Sequence, residues 1–156
     1  MAETNPIVEP IAFLLGTWRG GGKGIYPTIT DFEFEEEVTF WHAGAGWIAH
    51  IQKTTSTDDG RPLHSEMGYW RPKENGIVEL VVTHSFGVVE MAVGSLEGTA
   101  IELHSTNFIE APTAKTIDAA VRRFSVSRDE LRYEVDMEFG GHPLQHHLQA
   151  TLGRVT

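Results

Sequence analysis

From residue 32 onward, apolar and polar side chains alternate along almost every segment of the chain, and short turns separate the segments. A period of two is typical of β-strands that pack one face on a core and expose the other to solvent. Segment 131–139 has the clearest alternation, and we expect Met137 to point inward with the other apolar residues. After a first strand in the glycine-rich stretch near residue 20, the predicted strands are 33–40, 47–54, 63–71, 77–84, 88–93, 101–106, 116–127, 131–139 and 144–152.

The connections between these strands favour an up-and-down antiparallel β-barrel. The Asp59-Gly60 pair and the Lys73–Gly76 segment are typical of hairpin turns, and there is no long crossover or second helical region. A barrel of about ten strands should leave an internal cavity unless bulky side chains fill it. We therefore expect an all-β chain in which residues 1–156 form a single domain.

The N-terminal part differs from the rest. Residues 6–15 have apolar side chains at helical spacing, with Pro6 suited to the start and Gly16 to the end of a short helix. Trp18 follows and could plug one end of the barrel. Gly20 and Gly22 would let the first strand bend and let another backbone or a flat ligand approach.

Composition excludes several classes of function. The 156 residues carry a net charge of −10, which argues against binding to nucleic acid or an anionic membrane. The absence of cysteine excludes disulfides, cysteine-based zinc sites, thiolate haem ligation and cysteine nucleophiles. The N-terminus lacks the pattern of a signal peptide, and no segment approaches about 20 consecutive apolar residues. We therefore expect a cytoplasmic protein that does not span a membrane.

One strand breaks the alternation. Ala119 and Val121 have the opposite parity to Phe124 and Val126, which predicts a bulge or twist near Arg122-Arg123.

The eight histidines are the natural candidates for metal or haem ligation in a chain without cysteine. No His-Glu-x-x-His pattern supports a zinc hydrolase, and a Ser-His-Asp triad stays open although the Gly-x-Ser-x-Gly motif is missing. The glycine-rich run leads into a strand, so Lys23 is not the lysine of a phosphate-binding loop.

His146 and His147 lie on the last predicted strand. Alternation with Leu148 and Leu152 would direct His146 inward and His147 outward. One reading is a solvated histidine beside a hydrogen-bonded core histidine. The other is that one of the two faces a cavity and binds a metal centre.

Four motifs in order carry a resemblance that covers nearly the whole chain. The sequence resembles the nitrobindins, a family of haem-binding barrels shaped like lipocalins and fatty-acid-binding proteins. The first motif alone is moderately specific for this family, and the four motifs in this order and spacing are strongly indicative of it. The matching segments are 14–22 (including Gly16, Trp18, Gly20 and Gly22), 26–29, 62–71 and 147–152.

The resemblance implies one ferric haem b per chain, held in the barrel. It places the axial iron ligand at His147, against the parity argument for His146, and a haem-contacting threonine at Thr28. It also places Leu63, His64 and Met137 on the lining of the haem cavity. A structural hydrogen bond remains an equal alternative for His64.

The resemblance leaves two features of the haem pocket open. His84 stands at a cavity-facing position where a different polar residue is usual. Lys115 or Arg122 could supply a cation for the haem propionates.

The implied activity is isomerisation of peroxynitrite to nitrate at the haem iron, with nitric oxide binding as a linked property. The iron is the only catalytic group that the resemblance implies, and no catalytic side chain is required. The implied partners are small molecules. A homodimer is one option for assembly. Two alternatives use the same barrel. One is a carrier of a fatty acid or other apolar ligand, and the other is a haem-based nitric oxide sensor without turnover.

Overall fold

The computed structural model describes residues 2–156, which form a closed barrel of ten antiparallel strands. Each strand pairs with the next along the chain, and the pairing of the first with the last closes the barrel. The expected all-β, up-and-down barrel is confirmed. The strands are β1 (Gly16–Gly24), β2 (Phe32–Trp41), β3 (Ile48–Ser56), β4 (Pro62–Pro72), β5 (Ile77–His84), β6 (Val88–Glu97), β7 (Ala100–Glu110), β8 (Ile117–Ser127), β9 (Glu130–Phe139) and β10 (His142–Arg154).

The expected N-terminal helix is present as a 3-10 helix, Glu9–Leu14, which is shorter than the segment 6–15. Its apolar side chains Ile11 and Leu14, together with Val8 before it, are fully buried in the core. A three-residue 3-10 helix, Glu74–Gly76, lies in the turn between β4 and β5. Within residues 2–156, no helix combines the length and the hydropathy needed to cross a membrane.

Trp18 connects the N-terminal helix to the barrel. Its side chain is fully buried, and the indole nitrogen donates a hydrogen bond to the carbonyl of Leu14 at 2.8 Å. The guanidinium of Arg154 lies 4.0 Å from the centre of the Trp18 ring and donates to the carbonyl of Phe13 at 3.1 Å. These contacts fix the helix at the end of the barrel where β1 begins and β10 ends.

The glycines of β1 serve close packing between strands. A Cβ on Gly22 would lie 2.3 Å from the Phe34 ring and 2.4 Å from the carbonyl oxygen of Gln149, so only glycine fits between β2 and β10. Gly16 has a φ of 117°, which lets the chain turn from the helix into β1. At Gly22 the group that approaches is therefore the aromatic ring of a neighbouring strand.

Of the bulge or twist expected near Arg122-Arg123, the bulge is absent. β8 pairs with β9 in unbroken register through both residues, and the irregularity lies between Ile117 and Ala119. The alternation failed because Arg122 itself points inward and is buried, while Val121 is buried on the opposite face. A charged residue on the inner face and an apolar one on the outer face reversed the pattern that sequence alone presents.

Candidate functional site

The barrel encloses a cavity of about 490 Å³, a volume suited to a small organic ligand. The cavity reaches from Phe40, which pairs with Gly16 at the helix end, to Ile29, beyond the far end of β1. One part of its wall is apolar and another part is an unusual cluster of ionisable side chains. The apolar part includes Leu63, Phe86, Phe108, Ile117, Val135, Met137 and Leu148.

A β-bulge places His147 in this cavity. His146 pairs with Asp136 and Leu148 pairs with Val135, so His147 is an extra residue with no partner on β9. The bulge changes the alternation, and His147 lines the cavity together with Leu148. The side chain of His146 instead lies on the outer face, 3.8 Å from the carboxylate of Asp136.

The imidazole of His147 is held in one orientation. Its Nδ1 donates to the carbonyl of Ile25 at 2.9 Å, and the backbone of Ile25 donates in return to the carbonyl of His147 at 2.8 Å. Burial lowers the pKa of His147, and the hydrogen bond to Ile25 opposes this only in part. The ring is therefore neutral near pH 7, with Nδ1 protonated and Nε2 left as the nitrogen that can bind a metal.

Tyr26 anchors the segment that carries this acceptor carbonyl. The Tyr26 side chain is buried, and its hydroxyl donates to the carbonyl of Met137 at 3.1 Å. Its ring contacts the His147 ring edge to face, with 5.4 Å between the centroids. The motif at residues 26–29 thus begins with a residue that positions the His147 ring.

A buried arginine and two buried glutamates form the centre of the ionisable cluster. The Arg122 guanidinium donates to both oxygens of Glu66 at 3.2 Å and to Glu90 at 2.8 and 3.1 Å. Burial opposes ionisation of each glutamate, but the charge of Arg122 and hydrogen bonds from neighbouring histidines outweigh it. The pKa of Glu66 and that of Glu90 therefore lie well below the ordinary value.

Histidines and a serine complete the hydrogen bonding of the two carboxylates. Nε2 of His50 donates to Glu66 at 3.2 Å, while its Nδ1 accepts from the Trp70 indole at 2.9 Å. Glu90 accepts from Ser105 at 2.5 Å and from Nε2 of His84 at 2.8 Å. Both glutamates are thus surrounded by donors, as buried carboxylates must be.

His64 and His84 lie side by side where the cluster meets the apolar wall. Nε2 of His64 and Nδ1 of His84 are 3.1 Å apart, so one proton lies between them. The Phe86 ring stacks on His84 at 4.9 Å and packs against His64 at 5.3 Å between centroids. The Phe86 ring, packed on both imidazoles, therefore helps to fix the two nitrogens that face each other.

Glu36 is a third buried carboxyl group in the barrel. Tyr133 donates a short hydrogen bond to it. Burial raises the pKa of Glu36 to about 7. The hydrogen bond from Tyr133 lowers this pKa in part, and the nearby negative charge of Glu66 raises it further. Glu36 therefore titrates near neutral pH.

Some of the residues singled out by the sequence line this cavity and others lie outside it. The exposed Thr28 does not line the cavity but directly precedes Ile29, which does, and the exposed Lys115 lies two residues before Ile117, which also does. Arg122 lines the cavity, but its guanidinium is already paired with two carboxylates. The predicted residues on the lining are Leu63, His64, His84, Met137 and His147.

Sequence reasoning missed the buried carboxylates, although a signal was present. Glu36 has the same parity as Phe34 and Val38 on β2, and the inward-pointing residues of β4 and β6 likewise include Glu66 and Glu90. An acidic residue on the apolar face of a strand indicates either a parity error or a buried polar cluster. Only the cross-barrel partners, which come from strands far apart in sequence, distinguish the two.

Comparison with known proteins gives a consistent assignment. A family model described as "THAP4-like, heme-binding beta-barrel domain" matches residues 7–154. The chain is 45% identical to "Peroxynitrite isomerase 1" of Mycolicibacterium paratuberculosis over 97% of each chain. It is 46% identical to "Peroxynitrite isomerase 2" of Mycobacterium marinum over 98% of each chain.

Solved structures agree with the fold. The crystal structure of Rv2717c from M. tuberculosis superposes with a TM-score of 0.92 at 42% identity, covering 99% of this chain and all of that one. An S-type phycobiliprotein lyase from Guillardia theta superposes with a TM-score of 0.68 at 11% identity, over 92% of this chain and 89% of its own. The latter likeness concerns the fold alone.

Proposed function

Because the chain belongs to the family of THAP4-like haem-binding β-barrel domains, we propose that it binds one haem b through His147 and isomerises peroxynitrite to nitrate. The relatives named peroxynitrite isomerase match it over nearly its whole length, which supports the same reaction here. We propose nitric oxide binding as a second property of the same iron.

The observation that carries this proposal is the orientation of His147. The hydrogen bond from its Nδ1 to the carbonyl of Ile25 leaves Nε2 unprotonated, and the side chain lines the cavity. A carbonyl acceptor on the second ring nitrogen is the usual device that orients a histidine ligand and raises its basicity. A neutral imidazole of this kind is a common axial ligand of haem iron.

The lining of the cavity suits a haem, in addition to the histidine that can bind its iron. Leu63, Val135, Met137 and Leu148 give it an apolar wall that can pack on a porphyrin face and keep water from the iron. We propose that Thr28 and Lys115, exposed beside cavity-lining residues, interact with the propionates. Ferric haem, when bound, supplies the Lewis-acidic iron for the isomerisation.

A fatty-acid carrier is less well supported by the same cavity. A buried arginine can bind the carboxylate of a lipid, but Arg122 already pairs with Glu66 and Glu90. A third carboxylate would enter an interior with excess negative charge. An imidazole with a free Nε2 on the wall also has no role in binding an alkyl chain.

The proposal is tested by haem titration of wild-type protein, His147→Ala and His146→Ala. We expect wild type and His146→Ala to bind one haem with the same Soret spectrum, because His146 lies on the outer face. His147→Ala should lose the axial bond and bind haem at least about 100-fold more weakly, because loss of an outer partner alone costs about 10–100-fold. Equal spectra for all three proteins, or loss only in His146→Ala, would contradict the assignment.

The enzymatic part needs a separate measurement. Stopped-flow mixing of the ferric protein with peroxynitrite should show faster decay than buffer, with a higher yield of nitrate. A haem-loaded protein that leaves the decay unchanged would support a sensor instead. Binding of nitric oxide is read from the shift of the Soret band on anaerobic addition of the gas.

A further inference from the structure

We propose that His64, His84 and Glu66 form a binding site for a divalent zinc-type metal ion, separate from the haem ligand His147. The three side chains come from β4 and β5, and their ligand atoms all lie within 4.8 Å of one another. The site does not require haem, so it stands or falls independently of the proposed enzymatic function.

The distances between the ligand atoms suit a small metal ion. Nε2 of His64 is 3.1 Å from Nδ1 of His84, and each of these nitrogens is 3.5 Å from the same oxygen, Oε2 of Glu66. With bonds of about 2.0–2.1 Å and tetrahedral angles, neighbouring ligands of zinc lie about 3.3 Å apart. One ion can therefore bond to all three atoms with shifts of only a few tenths of an ångström.

The protonation of the ligands is also favourable. Nε2 of His84 donates to Glu90 at 2.8 Å, which leaves Nδ1 as the lone-pair nitrogen that faces His64 and Glu66. Nδ1 of His64 lies 3.5 Å from the hydroxyl of Ser85, an acceptor for its proton when Nε2 binds the metal. Such outer partners are typical of histidines that bind metals.

The charge of the cluster favours a cation. Glu66 and Glu90 are both ionised and face a single guanidinium, that of Arg122, so the group carries a charge of −1 when the histidines are neutral. Arg122 contacts Oε2 of Glu66 as well, but a carboxylate oxygen has two lone pairs and can accept from Arg122 while it binds a metal. A divalent ion changes the net charge of the cluster from −1 to +1 without an unpaired carboxylate.

The ligand set indicates the type of metal and leaves room for a further ligand. Two imidazoles and one carboxylate suit Zn²⁺ and neighbouring transition metals, whereas Ca²⁺ and Mg²⁺ require oxygen ligands. Three protein ligands leave the fourth position of a tetrahedral ion for water or a small anion. The side chain of His64 is 26% exposed while that of His84 is only 6% exposed, so this open position faces the His64 side.

The test uses the haem-free full chain after treatment with a chelator, titrated with Co²⁺ as a spectroscopic substitute and then with Zn²⁺. We expect one ion per chain and the intense visible absorption of four-coordinate cobalt, which Zn²⁺ should abolish by displacement. His64→Gln and His84→Gln should each weaken binding on the order of 100-fold. His84→Gln keeps an amide donor for Glu90, and circular dichroism shows whether each variant remains folded.

Two control variants separate this site from other histidines. His104→Gln removes an exposed imidazole that pairs with Glu102 on the outer face, and it should leave cobalt binding unchanged. His147→Gln should abolish haem ligation and keep the cobalt site. The proposal is overturned if wild type binds no Co²⁺, if folded His64→Gln and His84→Gln bind it like wild type, or if His147→Gln alone removes it.

Discussion

At the scale of single residues, environment decides the role of each ionisable group in this barrel. His147 is neutral because it is partly buried, and its one hydrogen bond fixes which nitrogen is free. Glu66 and Glu90 are charged because Arg122 and the histidines surround them, whereas Glu36 has mainly Tyr133. Three buried carboxyl groups of the same type therefore divide into two permanent anions and one group that titrates near neutrality.

Glu36 makes the stability of the protein depend on pH in a defined direction. Its pKa rises from 4.5 to about 7 on folding, so the folded state holds a proton that the unfolded state releases between these values. The stabilisation by this proton is fully present below pH 4.5 and is lost as the pH rises to about 7. Relative to Glu36→Gln, the wild type should lose roughly 3 kcal/mol of unfolding free energy across this interval.

Urea denaturation at several pH values measures this difference. Glu35→Gln is the matched control, because Glu35 is the neighbouring residue on β2 and is exposed. It should follow the pH profile of the wild type. A wild type and Glu36→Gln with parallel profiles from pH 4.5 to 7 would show that Glu36 is ionised throughout.

At the scale of strands, glycine and irregular pairing shape the barrel around its contents. Gly22 lets the Phe34 ring lie directly on β1, and the bulge in β10 directs His147 inward. Both features depend on contacts between neighbouring strands rather than on the preferences of one segment. The glycine and the pair of histidines are visible in the sequence, but only the neighbouring strands show what each of them does.

Gly22→Ala should be destabilising. The new Cβ would clash with the Phe34 ring and with the Gln149 carbonyl, and relief requires movement of the backbone of β10. We expect a loss of about 1–3 kcal/mol in unfolding free energy, measured by urea or thermal denaturation. Gly21→Ala is the control, since the nearest atom to its Cβ is the Phe34 carbonyl at 3.5 Å, and it should cost far less. Equal effects of the two changes would refute this account.

Much of the fold could be predicted from sequence because alternation and turn residues are local. Ten short segments with tight links specify a meander, and 131–139 has its apolar face inward as expected. The site is harder to predict from the sequence, because alternation alone would place His146, not His147, inside the barrel. Family motifs overruled that choice, and the structure supplies its physical reason, an extra residue in β10.

At the scale of the whole molecule, the buried cluster ties distant strands together across the barrel. Arg122 on β8 binds Glu66 on β4 and Glu90 on β6, and Glu90 also accepts from Ser105 on β7 and His84 on β5. Five consecutive strands thus meet at one polar centre inside the barrel. Such a network demands complete pairing, since each buried charge without a partner is costly.

Arg122→Met should therefore destabilise the whole barrel by about 3–5 kcal/mol, because it leaves two buried carboxylates without their cation. Arg123→Met is the adjacent control. Arg123 pairs with Glu102 and Asp136 on the outer face, and its loss should cost about 0–1 kcal/mol. Urea denaturation compares the two, and if Arg122→Met does not fold, Arg122→Lys should fold with intermediate stability. Similar losses at both positions would contradict the inward placement of Arg122.

The extra residue in β10 separates two kinds of information in the chain. The alternation of Leu148, Ala150 and Leu152 keeps the apolar side chains of the last strand facing the core whether or not the bulge is present. The imidazole that reaches the interior depends on the bulge alone. A shortened strand with one histidine of the pair deleted would restore regular pairing and leave the surviving ring on the solvent side. A change of one residue in length can therefore leave the barrel intact while it removes the imidazole from the cavity.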